Sequence, residues 1–119
     1  MAWEFDSKSP IFKQIVETVT YRIIKGDYKC GEKLSSVRDL AVEAGVNPNT
    51  IQRALSEIES SGLIVTQRGD GRYITEDVAL IEGSRRRYIE ENTQAFLGKM
   101  KDLNFSKEEI IEIISKINI

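Results

Sequence analysis

The chain has 119 residues, 40% hydrophobic and 30% charged, with a formal net charge of −2 and a pI near 5.3. That length suits one domain, or one small domain with an appendage, and the apolar runs are too short to cross a bilayer. There is no histidine and a single cysteine, Cys30. The commonest general base and metal ligand are therefore missing, as is any internal disulfide.

No glycine-rich phosphate loop occurs, so an enzyme reading has no constellation to rest on, and no metal or cofactor is expected. The opening "MAWEFDSKSP" lacks a basic segment followed by an apolar stretch, so it does not read as a secretion signal. With the lone cysteine, this fits a cytoplasmic protein with no membrane partner. Cys30 itself reads as a structural or surface thiol.

The first element is a helix over residues 10–25. Phe12, Ile15, Val16, Val19 and Ile23 recur at helical spacing, between Pro10 and Gly26. "GDYKCGEKLS" follows as a loop anchored by Leu34. A second, short helix covers 36–44, with Ser36 as N-cap and Asp39 in the place of a capping-box acid. Val37, Leu40, Ala41 and Ala44 form its buried stripe, and Gly45 ends it.

The third helix, 48–61, starts almost at once. Asn47 caps it and Pro48 occupies its first turn. Ile51, Ala54, Leu55 and Ile58 mark its buried face. Two short helices joined by a tight, glycine-containing turn are the helix-turn-helix pattern. Over 63–75 the period changes: "LIVTQ" and "RYIT" flank Gly69-Asp70-Gly71, a hairpin signal.

From 77 to 103 the chain returns to helix, with Val78, Ile81, Tyr88, Ile89, Phe96, Met100 and Leu103 close to one stripe. Asn104 and Phe105 break it. "SKEE" is a capping box on Ser106 and Glu109, and Ile110, Ile113, Ile114 and Ile117 mark a last short helix. The fold class expected is therefore mainly α with one small β-hairpin. It comprises a winged helix-turn-helix domain over 1–75 and a two-helix tail over 76–119.

In a helix-turn-helix the N-terminal part of the second helix enters the DNA major groove. Asn49, Thr50, Gln52 and Arg53 lie away from the buried face and carry groups that read base edges. Arg38, in the first turn of the preceding helix, suits a phosphate or a guanine. It equally suits a structural pair with Asp39 or Glu43. Arg68 and Arg72 flank a slim glycine turn, as a wing at a minor groove would, with Asp70 expected to point away. "RRR" at 85–87 reads as a solvated face, with DNA flanks as the alternative.

Charge argues the other way. Residues 1–75 hold ten Lys+Arg against ten Asp+Glu, whereas phosphate neutralisation drives non-specific DNA affinity. A winged helix used as a protein-interaction module is therefore the competing reading.

The segment from "PIFKQI" through "GEKLSSVRDLA" and "GVNPNTIQRAL" to "RGDGRYI" resembles the N-terminal DNA-binding domain of GntR-type transcriptional regulators over residues 10–75. One departure is Ser35, where the family usually has Pro. The resemblance implies a double-stranded DNA operator as partner, contacted by Ser36, Arg38, Asn49, Thr50, Gln52 and Arg53, and by the wing at Arg68, Gly69, Gly71 and Arg72.

Only 44 residues follow Thr75, too few for the large effector domain most members carry, and this is similar to the short YtrA-like branch. That likeness implies a homodimer, formed through Ile81, Tyr88, Ile89, Phe96, Met100, Leu103, Ile110, Ile113, Ile114 and Ile117. It further implies repression of an ABC-transporter or envelope operon. Two short helices bury their own apolar faces poorly, which agrees, and folding back on the same chain is the alternative. A small-molecule effector, if one exists, is not identified by the residues.

Overall fold

The computed structural model describes residues 3–119. Five helices and one hairpin follow in the order α1 (Ile11–Lys25), α2 (Val37–Ala44), α3 (Pro48–Ser61), β1 (Ile64–Gln67), β2 (Gly71–Ile74), α4 (Val78–Asp102) and α5 (Lys107–Lys116). They divide into two compact units, the first closing at Ser84 and the second covering Arg85–Ile119.

In the first unit, α1 and α2 both pack on α3, and α3 packs on β1. The core is the sum of the apolar stripes: Ile15, Val19 and Ile23 of α1, Leu40 and Ala41 of α2, and Ile51, Ala54, Leu55 and Ile58 of α3. Leu63, Ile64 and Ile74 of the wing close it. Pro10 stands just outside α1 as its N-cap residue rather than within its first turn. The Ser36 hydroxyl accepts from the Asp39 N–H at 3.1 Å, and the Asn47 side chain accepts from the Asn49 N–H at 2.8 Å. Between α2 and α3, Gly45 adopts φ +70°. Its left-handed turn lets the Val46 N–H return to the Ala41 carbonyl at 3.0 Å, which fixes the reversal between the two helices.

The hairpin is antiparallel, pairing Ile64 with Ile74 and Gln67 with Gly71. Its loop is Arg68-Gly69-Asp70, closed by the Asp70 N–H donating to the Gln67 carbonyl at 3.0 Å, with Gly69 at φ +78°, the positive φ that the third residue of such a turn takes. The segment expected to be plain loop around Leu34 is tied to the wing. Lys33 bridges Tyr73, and the Leu34 N–H donates to the Arg72 carbonyl at 2.9 Å.

Two features depart from the sequence reading, and one goes beyond it. Ile81, expected in a dimerisation stripe, packs with Leu80 against the core of the first unit. Adding a Cβ at Gly62 would bring it within 3.0 Å of Leu80. The opening turns of α4 thus belong to the winged-helix unit, because the end of α3 leaves an apolar surface that Leu80 and Ile81 cover.

Second, the N-terminal stretch is structured. Trp3 and Phe5 pack on the core. The buried Gln14 side chain holds the segment by accepting from the Asp6 N–H at 2.9 Å and donating to the Asp6 and Ser9 carbonyls. Arg22, also buried, lies over the Trp3 ring at 4.2 Å and donates to the Tyr28 hydroxyl at 3.1 Å.

Third, Ile110 is buried inside its own unit, where it lines, together with Leu97, Lys101, Phe105 and Lys107, a cleft of about 290 Å³. The other nine residues of the expected stripe differ in fate. Ile81 is covered as described and Met100 is half-buried. Tyr88, Ile89, Phe96, Leu103, Ile113, Ile114 and Ile117 are exposed. The Ser106–Glu109 capping box forms in both directions, and Asn104 breaks the chain at φ +65°.

Candidate nucleic-acid interface

The expected contact residues stand on three elements. Asn49, Gln52 and Arg53 are exposed on α3, and Thr50 is half-buried beside them. No hydrogen bond occupies the side-chain amides of Asn49 and Gln52 among the described residues. Arg38 is exposed in the first turn of α2. Its suggested pairing with Asp39 or Glu43 does not form, and no ion pair holds Arg38, Arg53 or Arg68 among the described residues. Ser36, at the start of α2, is exposed, and its oxygen is already used as an N-cap acceptor. Its O–H remains a donor.

The wing separates its charged residues into two kinds. Arg68 and Gly69 stand at the exposed tip, and nothing lies within 4 Å of the place a Gly69 Cβ would take. Arg72 is turned inward: its Nε lies 2.5 Å from the Glu59 carboxylate, which also accepts from the Thr66 hydroxyl at 2.5 Å. The Thr66 hydroxyl, followed by the Arg72 guanidinium, holds the Glu59 carboxyl below its usual range. Glu59 thus ties α3 to both strands.

Asp70 does not point away. It accepts from Lys33 at 2.8 Å and from the Tyr73 hydroxyl. Lys33 is the main reason its carboxyl titrates below the ordinary value, and Asp70 in turn raises Lys33 and Tyr73. Gly71 lies alongside, where a Cβ would sit 3.1 Å from the Lys33 stem. The acids at 59 and 70 are thus neutralised by Arg72 and Lys33 and add no unpaired negative charge to the wing.

The sequence reading missed one partner on this face. Arg53 stacks on Phe12, its guanidinium carbon 3.6 Å from the ring centroid. Phe12 ends the α1 core stripe, and no local signal marked it as anything but core.

A helix-turn-helix joined to a β-hairpin wing, with an arginine and two amides on the exposed face of its second helix, defines a winged helix-turn-helix DNA-binding regulator. Comparison with known proteins specifies the class further. Residues 12–74 match the family described as "Bacterial regulatory proteins, gntR family". The chain is 38% identical over 109 residues to the HTH-type transcriptional regulator YhcF of Bacillus subtilis (strain 168), covering 92% of this chain and 90% of YhcF. It is 40% identical over 93 residues to the HTH-type transcriptional repressor YtrA of the same organism, covering 76% and 72%. A solved GntR family transcriptional regulator from Listeria monocytogenes superposes with a TM-score of 0.90 at 43% identity, covering 96% of this chain and all of that one.

The chain belongs to the GntR family of transcriptional regulators and is similar to YtrA; members of this family are DNA-binding regulators, not enzymes. None of its described helices is long and apolar enough to cross a membrane.

Proposed function

We propose that this protein is a homodimeric, cytoplasmic repressor that binds a two-fold symmetric operator, with α3 in the major groove and the wing at the minor groove. The observation that carries the reading is a set of unspent donors on α2, α3 and the wing. Among the described residues Arg38, Arg53 and Arg68 pair with no acid, and the side-chain amides of Asn49 and Gln52 have no hydrogen-bond partner. In this reading Asn49, Thr50, Gln52 and Arg53 face base edges. Ser36 and Arg38 face the backbone, and Arg68 reaches the minor groove past Gly69. Gly71 and Arg72 act as wing supports, since one adjoins Lys33 and the other is held by Glu59.

The two-fold symmetry rests on the tail, whose exposed Ile89, Phe96, Ile113, Ile114 and Ile117 would be covered by a second copy; two-fold dimers read palindromic half-sites. Repression is supported by the likeness to YtrA, itself a repressor. The same resemblance suggests an ABC-transporter or envelope operon as target.

Fluorescence anisotropy with DNA from upstream of the protein's own gene tests the core of this reading. Gln52→Ala is expected to weaken specific binding by roughly 5- to 150-fold, the range for one lost base-reading pair, and Arg38→Ala to weaken binding across sequences with a shallower salt slope, while both melt like the wild type because both residues are exposed. Wild-type affinity should fall steeply with salt. Unchanged affinity in both variants would sink the assignments. Salt-independent binding would favour the protein-interaction alternative.

A further inference from the structure

We propose that Phe12 is a positioning residue for DNA recognition: its ring holds the Arg53 guanidinium in one plane, aimed along the exposed face of α3, before DNA arrives. The inference rests on the reading of α3 as the recognition helix and adds to it a residue outside the helix-turn-helix. Ile15, Val19 and Ile23 carry the α1 stripe into the core. Phe12, one turn earlier, emerges half-buried at the edge where α3 begins. There the Arg53 guanidinium carbon sits 3.6 Å from the ring centroid. This is the distance of a flat stack, and cation–π attraction is strongest over the ring face.

The ring is the sole partner Arg53 has among the described residues. Stacking at that distance covers one face of a guanidinium and leaves its N–H edge free to meet a partner. Ile11, Phe12, Asn49, Thr50 and Arg53 line one open notch of about 380 Å³, so that edge shares its surroundings with the Asn49 amide and the Thr50 hydroxyl. The paired acceptors of a guanine edge or a phosphate meet such an edge in plane. An arginine on an exposed helix normally samples many rotamers, and ordering it on binding costs free energy. Stacking on Phe12 removes part of that cost in advance, and a hydrophobic residue without a π face would not.

A double-mutant cycle separates this role from packing. Phe12→Leu is expected to weaken operator binding by about two- to five-fold, the range of one exposed cation–π contact, and to do so without further loss in an Arg53→Ala background. Phe12→Tyr and Phe12→Trp keep a ring and should retain near-wild-type affinity. Melting curves of every variant report folding separately. A loss of selectivity against scrambled DNA assigns the Arg53 edge to a base. A uniform loss with a shallower salt slope assigns it to a phosphate, and both support positioning. Equal weakening by Phe12→Leu with and without Arg53, or no weakening at all, overturns the proposal. If wild-type protein bound no operator, or Arg53→Ala bound as well as wild type, the recognition-helix assignment would fall instead.

Discussion

The two units use apolar residues in opposite ways. In the first, Ile15, Ile51 and Ala54 are 0% exposed and their neighbours nearly so, because three helices and a hairpin enclose a common centre. In the second, Ile110 is the one residue of α5 that is buried and α4 buries none. Leu103 is 65% exposed and Ile114 51%. Yet the tail helices carry strong local signals, including a complete capping box. Caps and propensity specify where a helix starts, whereas stability in water comes mostly from burying a face. The first unit has both, and the second has local specification with much of its apolar face uncovered within the chain.

Truncation tests this contrast most severely. Ending the chain after Ser84 keeps Leu80 and Ile81 on the core, and the expected product is a folded monomer. Its operator affinity should fall by about 10²–10⁴-fold through lost bivalency, as read by sedimentation and anisotropy. Ending it after Glu76 removes Leu80 and Ile81 as well, and its melting temperature should drop below that of the longer fragment. If the Ser84 fragment remained dimeric, the tail would not be the dimer unit.

Point substitutions sharpen the comparison. Leu55→Ala, in the closed core, is expected to cost about 2–5 kcal/mol in chemical denaturation. Ile114→Ser, on the open face, should leave the melting of a monomeric sample nearly unchanged and shift the monomer–dimer equilibrium toward monomer.

The smallest effect concerns the wing. Asp70 has a lowered pKa, so its contribution is fully present above its ordinary value of 3.8 and is lost as pH falls through the lowered one. Lys33 and Tyr73 are raised, so their share is present below ordinary values of 10.5 and 10.0 and is lost as pH rises through the raised ones. Protection of the hairpin amides, taken as exchange relative to the intrinsic rate at each pH, should be highest between these limits, and Asp70→Ala should remove the dependence. An unchanged pH profile in that variant would show that the anchor lies elsewhere.

Helix and turn positions were legible in the sequence because their causes are local. Ser36, Asn47 and Ser106 cap the helices they precede. The stripes through Ile15 and Ile51 set which faces turn inward, and Gly69 marks the hairpin loop. The exposed face of α3 followed from the same periodicity, since residues opposite a buried stripe must face outward.

What the tertiary structure alone decided is which neighbour each outward or inward group meets. Periodicity gives the phase of Ile81 and Ile110 about a helix axis but not the surface that covers them; the first unit takes one and the second unit takes the other. Asp70 reads as an obstacle to DNA until Lys33, 37 residues away in sequence, is seen to neutralise it. Arg72 reads as a contact until Glu59 is found against it. Arg53 reads as an ordinary solvated arginine until Phe12 of α1 is found beneath it. Helix caps and stripes are fixed by residues within a turn or two of each other, so the chain announces them. Ion pairs, stacking and burial depend on segments distant in sequence, and their partners exist only once the core has brought those segments together.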